Sequence, residues 1–76
     1  MAKKMVYQVQ SRYWELLPIY VSKNEFNEYE VEYYDEYNNT NMFIMAFKTF
    51  ELAKELADNL GYIYVQACNH GVEELY

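Results

Sequence analysis

Apolar and acidic side chains alternate over residues 28–35, and this is the clearest pattern in the chain. The apolar positions are Tyr29, Val31 and Tyr33, and the acidic positions are Glu28, Glu30 and Glu32. A period of two is typical of a strand with one buried face. We therefore predict a strand over residues 28–35 whose glutamates face away from the core.

The segment after this strand predicts a hairpin. Residues 36–41 (Glu-Tyr-Asn-Asn-Thr-Asn) are rich in types that bond to their own backbone and tolerate unusual dihedral angles, as turns require. Residues 42–47 are apolar throughout, which is typical of a strand covered on both faces. We expect this returning strand to lie in the middle of the sheet.

Apolar residues at helical spacing begin after Thr49, a residue type that caps helix N-termini. Glu51 falls in the first turn, where the helix dipole favours an acid. The apolar stripe consists of Leu52, Ala53, Leu56, Ala57 and Leu60, and the polar face of Lys54, Glu55, Asp58 and Asn59. Gly61 is of the type that ends helices. The pattern therefore predicts a helix over residues 50–60.

Alternating patterns also predict strands before the hairpin and after the helix. Residues 4–10 form the first, with Met5, Tyr7 and Val9 on one side and Val6, Gln8 and Gln10 on the other. Residues 19–22 form the second. The last strand covers residues 62–68, with Ile63, Val65 and Ala67 on one side.

Two connecting segments are less regular. Within residues 11–17, either Ser11 caps a short helical turn that stops before Pro18, or the segment is extended and joins the second strand. Residues 69–71 (Asn-His-Gly) predict a turn, and residues 72–76 a short acidic tail.

Together these elements predict one α+β domain over residues 1–76. Its single, mainly antiparallel sheet of about four strands packs on one helix, in the order β-β-β-β-α-β or β-β-β-α-β. One short helix cannot cover both faces of such a sheet. The other face is therefore either in water or covered by something else.

The composition suits a folded cytoplasmic protein. Hydrophobic residues make up 53% of the 76 residues and ten residues are tyrosine, which is more aromatic surface than one small core encloses. Some of these rings must therefore lie on the surface. Cys68 is the single cysteine, and a lone thiol is typical of a reducing compartment. The longest apolar run, residues 42–47, is too short to span a membrane, and no targeting segment is recognisable.

The net charge of −6 comes from one segment. Residues 24–47 contain six acids and no base, whereas the other six acids and all six bases cancel in the rest of the chain. Direct binding to nucleic acid is disfavoured, because phosphate contacts need clustered Lys and Arg. Binding to a protein that itself handles nucleic acid stays open.

The sequence offers little catalytic equipment. Cys68 and His70 are close together, but a structural zinc site needs about four ligands and the chain has no second Cys or His. A buried small cysteine and a turn histidine account for the pair without any chemistry. The two glycines cannot build a phosphate-binding loop. We therefore expect a protein without enzymatic activity, metal or cofactor.

The acidic strand is the feature that points to a partner. Glu28, Glu30 and Glu32 recur about every 6.7 Å on one face, a spacing close to that of phosphates along a nucleic-acid strand. The candidate binding residues are Glu28, Glu30, Glu32, Tyr34, Asp35, Glu36 and Tyr37, with the tyrosines as anchors. The competing interpretation is an edge strand that its charges keep soluble and unpaired.

The chain resembles small accessory proteins of bacteriophages and mobile elements. The similarity is carried by the Tyr-Glu strand over residues 28–35, the Asn-rich turn over residues 38–41, and the Phe-Lys-Thr-Phe-Glu-Leu-Ala-Lys-Glu-Leu-Ala segment over residues 47–57. Such proteins include inhibitors of host defence, among them acidic anti-CRISPR proteins that block nucleic-acid-binding grooves. The resemblance implies inhibition by binding, in the cytoplasm of a host.

Two functional hypotheses remain. The first is a non-enzymatic inhibitor or adaptor that docks its acidic, tyrosine-rich face on a basic surface of a larger protein. The second is a homo-oligomer, a homodimer for example, that holds a small ligand between subunits by its tyrosines. Enzymatic chemistry at Cys68 and His70 would be a third class.

Overall fold

The computed structural model describes residues 3–70, with side chains as far as Ala67. Four strands are followed by one helix: β1 (Lys4–Gln10), β2 (Leu16–Lys23), β3 (Tyr29–Asp35), β4 (Thr40–Phe47) and α1 (Phe50–His70). Each strand pairs antiparallel with the next, so the sheet order is β1-β2-β3-β4. The α+β class, the antiparallel sheet and the single helix are confirmed, and the element order is β-β-β-β-α.

Helix α1 is twice as long as the sequence predicts. It begins after Thr49, whose hydroxyl accepts a hydrogen bond from the Leu52 amide (3.4 Å), so the predicted N-cap is confirmed. The predicted stop at Gly61 and the predicted strand over residues 62–68 are wrong, because the helix continues to His70. The predicted turn over residues 69–71 is wrong for Asn69 and His70, while residues 71–76 lie outside the described residues.

A row of small residues explains why the helix passes through Gly61. Ala53, Ala57 and Gly61 recur every fourth residue and are buried against the sheet, and such rows are the ridges by which helices pack. A Cβ at Gly61 would lie 2.5 Å from Val9 Cγ1 and 3.3 Å from Leu17 Cδ1. Glycine is present there because the helix backbone approaches β1 and β2 closely, not because the helix ends.

The core lies between this ridge and one face of the sheet. Its buried members are Val9, Leu17, Ile19, Val21, Val31, Ala53 and Ala57. Phe50 closes one end of the core with edge-to-face contacts to Tyr7 and Tyr29, at centroid distances of 5.9 and 5.7 Å. The prediction that Tyr29, Val31 and Tyr33 face the core is confirmed.

Strand β4 is at the edge of the sheet, so the predicted central position is wrong. Among residues 3–70 it pairs with β3 alone, and the side chains of residues 40–45 are exposed. The rule that apolar residues on both faces indicate a central strand fails here because the described part of the chain places one strand and one helix beside β4 and no second strand.

Each alternative for residues 11–17 is right for one part of the segment. Residues 12–14 form a turn in which the Trp14 amide donates to the Ser11 carbonyl (2.9 Å), and the Ser11 hydroxyl caps it by accepting from the Tyr13 and Glu15 amides (both 3.2 Å). The extended alternative holds from Leu16, where β2 begins. A register shift between Met5 and Tyr7 also changes a predicted face. Met5 pairs with Ser22 and Tyr7 with Val21, so Met5 does not share the core face with Tyr7.

Candidate interaction surface

The face of the sheet away from α1 carries the predicted acidic strand. Glu30 on β3 pairs with Ser22 on β2. Glu32 on β3 pairs with Tyr20 on β2 and with Phe43 on β4. Directly paired residues share a face, so these side chains form an open face opposite the core. The prediction that Glu30 and Glu32 point away from the core is confirmed.

The two glutamates are not a free acidic row, however. Lys3 Nζ contacts Glu30 Oε1 (3.0 Å) and also Glu32 Oε2. Asn24 Nδ2 donates to Glu30 Oε2 at 2.7 Å, and Ser22 Oγ donates to Glu32 Oε1 at 3.2 Å. The expectation that these carboxylates stand unneutralised in water is wrong, since one ammonium and two neutral donors hold them.

Glu32 is also buried, with 3% of its surface exposed. The residues paired with Glu32 on the two neighbouring strands, Tyr20 and Phe43, are aromatic. The pKa of the Tyr20 phenol is raised, first by the burial of Tyr20 itself and then by the negative charge of Glu32. A buried carboxylate needs a countercharge and hydrogen-bond donors. Lys3 and Ser22 supply both, so Glu32 is part of the structure rather than of a docking surface.

The pKa shifts in this cluster follow from its hydrogen bonds. The pKa of Lys3 is raised, first by its bond to Glu32 and then by its bond to Glu30. The pKa of Glu30 is lowered, first by Asn24 and then by Lys3. The Glu30 contribution to stability is therefore lost as pH falls through its lowered pKa, and the Lys3 contribution as pH rises through its raised pKa.

Removing Lys3 should lower the free energy of unfolding most at neutral pH. In Lys3→Met the Glu32 carboxylate keeps its hydrogen bond from Ser22 but loses its countercharge, and we expect a loss of about 1–3 kcal/mol, less than for a fully buried pair because Lys3 is half exposed to solvent. The difference from the wild type should shrink as pH falls through the lowered pKa of Glu30, because a protonated Glu30 no longer pairs with Lys3.

Urea unfolding at a series of pH values measures this difference. Lys4→Met is the matched control, because Lys4 is exposed and next in the chain. The double variant Lys3→Met/Glu32→Gln should be more stable than Lys3→Met at neutral pH, because it leaves no buried charge without a countercharge. An unfolding free energy of Lys3→Met that follows the wild type at every pH would contradict the role of the cluster.

Glu28 is the third member of the predicted row, and it belongs to the turn between β2 and β3. Asn24 organises this turn, because its Oδ1 accepts from the Phe26 and Glu28 amides, both at 2.9 Å. Its Nδ2 also lies 3.4 Å from Glu28 Oε1. Glu28 is half-buried. Phe26, two residues earlier in the same turn, has an exposed ring.

The turn between β3 and β4, residues 36–39, presents the other predicted residues. Asp35 accepts hydrogen bonds from the Tyr37 amide (3.0 Å) and Asn38 Nδ2 (2.7 Å). The Tyr34 hydroxyl donates to Asn39 Oδ1 at 2.8 Å, and Asn39 adopts a left-handed conformation with φ of 53°. These contacts hold the backbone of the turn in place. Tyr37 lies in this turn and is 99% exposed.

The seven predicted binding residues therefore separate into three groups. Glu30 and Glu32 are tied up in the Lys3 cluster, and Glu28 lies at the other end of β3. Tyr34, Asp35, Glu36 and Tyr37 are brought together at the β3–β4 turn. The two ends of β3 are about 20 Å apart at the rise of a strand. Sequence reasoning missed Lys3 and Asn24, because their partners are set by strand pairing.

Among the described side chains, those of residues 3–67, the structure groups no three His, Cys, Asp or Glu in a way that could hold a metal ion. The side chains of Cys68 and His70 lie outside the described part. Across the described residues, no helix combines the length and apolar character needed to cross a membrane. No family model, curated protein or solved structure matches the chain.

Proposed function

We propose that this chain is a non-enzymatic interaction protein that binds a basic surface of a larger protein through its β3–β4 turn. The acidic tip, defined as Asp35, Glu36 and Tyr37, would supply the contact. The observation that carries the proposal is the fully exposed Tyr37 ring on a turn that hydrogen bonds hold in place. A partner that normally binds a polyanion would thereby be inhibited.

The rigidity of the turn supports this proposal. Asp35 and the Tyr34–Asn39 pair already order the backbone, so binding would cost little further conformational entropy. Tyrosine is enriched among residues that dominate binding energies, because its ring buries much area with few rotatable bonds. We therefore expect the Tyr37 ring to contribute most of the binding energy at the interface with the partner protein.

Electrostatics adds the preference for a basic partner. Residues 24–47 contain no Lys or Arg, and the ion pairs of Lys3 are with Glu30 and Glu32, outside the acidic tip. Charges at an exposed rim mainly speed association and are screened by salt. We therefore expect binding that weakens as the ionic strength rises.

The test is affinity capture from a lysate of the source cell with the tagged full chain as bait. The wild type should retain a basic protein at low salt and release it at high salt. Glu36→Lys and Tyr37→Ser should each weaken binding to that purified protein at least about tenfold. Isothermal titration or surface plasmon resonance measures the change.

Two matched variants control for charge and for loss of a ring. Glu55→Lys reverses an exposed acid on the helix, and Tyr62→Ser removes an exposed ring there. Both should bind as the wild type does, and all four variants should keep the wild-type melting temperature. Equal affinity of the wild type and Glu36→Lys, or capture of acidic partners only, would refute the proposal.

A further inference from the structure

Strand β4 is an exposed sheet edge of unusual composition. Its eight residues, Thr-Asn-Met-Phe-Ile-Met-Ala-Phe, include no charged residue and no proline. Met42, Phe43, Ile44 and Met45 are all exposed large apolar side chains. An edge also leaves unpaired backbone N–H and C=O groups, and an apolar edge of this kind is a template for another strand.

The opposite edge of the sheet is built differently. Strand β1 carries Lys4 and has two register shifts against β2, one on each side of the Tyr7–Gln8 stretch. Lysines and bulges are the devices by which natural sheets prevent edge pairing. Strand β4 has one register shift against β3, at Ile44, which places Met42 and Met45 on the same face of the sheet. It has no charged residue, whereas β1 combines a lysine with two register shifts, so β4 is the edge less protected against pairing.

We propose that β4 pairs antiparallel with β4 of a second copy of this chain, which joins two four-stranded sheets into one of eight strands. Antiparallel pairing of a strand with itself is a two-fold, self-complementary contact. With the two-fold axis between Phe43 and Ile44, Thr40 pairs with Phe47 and Met42 with Met45 of the second copy. This inference uses a different surface from the acidic tip and does not depend on it.

Charges beside β4 are locally complementary between two copies of the chain. Two copies of net charge −6 repel each other, but β4 itself brings no acid to the contact. The antiparallel arrangement also places Lys48, exposed directly after β4, beside the turn that carries Asp35 and Glu36 in the other copy. One lysine against two carboxylates moderates the repulsion and leaves the acidic tip net negative.

A groove beside β4 adds apolar surface to the same contact. It has a volume of about 450 Å³ and lies between β3, β4 and α1, lined mainly by Ile19, Tyr33, Met42, Ile44, Leu60 and Ile63. Each exposed apolar residue of β4 and the neighbouring Ile63 leaves on the order of 100 Å² in water, so pairing would bury at most about 1,000 Å² in total, the size of a weak interface that dissociates on dilution.

The test is the mass of the full-length protein in solution, measured by light scattering and sedimentation over a range of concentrations. The wild type should form a dimer that dissociates on dilution. Ile44→Lys should be monomeric, because it places two ammonium groups near the two-fold axis. Val6→Lys is the matched control, since Val6 and Ile44 are both 41% exposed but Val6 lies on β1. It should dimerise as the wild type does.

Mixing two variants separates loss of pairing from loss of folding. Ile44→Lys and Ile44→Glu should each be monomeric alone and should form a mixed dimer together. Amide hydrogen exchange of the wild type gives a second measurement, because the outward N–H groups of β4 should become protected only at dimer-forming concentrations. A wild type that stays monomeric, or a dimer that Ile44→Lys leaves intact, would overturn the inference.

Discussion

Gly61→Leu is expected to lower the free energy of unfolding by about 3 kcal/mol, although glycine is a poor helix former. Even the first added carbon would lie 2.5 Å from Val9 Cγ1. Val9 is buried and β-branched, so its side chain cannot turn away without disturbing the core. A chain of this length has a total stability of roughly 4–11 kcal/mol. The variant should therefore melt far below the wild type.

Smaller changes at the same contact give an independent check. Gly61→Ala should cost about 1–2 kcal/mol, since overpacking exceeds the gain in helix propensity. Val9→Ala makes room at Gly61, so Gly61→Ala should be less harmful in that background, by about 1 kcal/mol in a double-mutant cycle. Asn59→Leu, at an exposed helix position, should change stability by less than about 0.5 kcal/mol. A melting temperature of Gly61→Ala above the wild type would refute the close packing.

The same glycine shows how far the sequence predicts the helix. The Thr49 cap and the apolar stripe are local signals. The structure confirms the cap and the packing of Ala53, Leu56, Ala57 and Leu60 against the core, whereas Leu52, the first residue of the predicted stripe, is exposed. Gly61 is the usual residue type at a helix end, and residues 62–68 alternate as a strand does. Only the approach of β1 and β2 to the helix makes glycine necessary inside it, and such an approach is a tertiary contact that no local pattern contains.

The position of β4 could not be predicted from its pattern either. The boundaries of the hairpin follow from alternation and turn residues, and the structure places them within two residues of the prediction. An apolar pattern, however, is the same whether the strand on the second side of β4 belongs to its own chain or to another molecule. The pattern therefore does not distinguish a central strand from an edge strand that pairs with another molecule.

The candidate surface follows from the sequence where it is local. Tyr34, Asp35, Glu36 and Tyr37 are contiguous, and they lie together at the β3–β4 turn. The carboxylates of Glu30 and Glu32 pair with Lys3, which is 27 and 29 residues away in the chain. Counting charges within residues 24–47 therefore overestimated the free acidic surface.

Glu32→Lys is expected to lower the free energy of unfolding by about 3–5 kcal/mol, the range seen when a buried ion pair is broken. The substitution would place a second ammonium group beside Lys3 in a position that is 3% exposed. The loss is a large share of a total stability of roughly 4–11 kcal/mol, and a large fraction of the protein would be unfolded if the total is at the lower end of that range. Thermal unfolding followed by circular dichroism measures the loss.

Two further variants decide whether burial and pairing cause this loss. Glu36→Lys makes the same charge change at an exposed turn and should shift stability by less than about 0.5 kcal/mol. Exchanging the charges in Lys3→Glu/Glu32→Lys should recover part of the stability, because a pair of opposite sign is restored. A Glu32→Lys protein that melts like Glu36→Lys would show that the carboxylate is solvated. If Glu32→Lys is destabilised as expected, a loss of partner binding in this variant would reflect unfolding of the protein. Substitution of the exposed Glu36 is therefore the test of binding by the acidic tip.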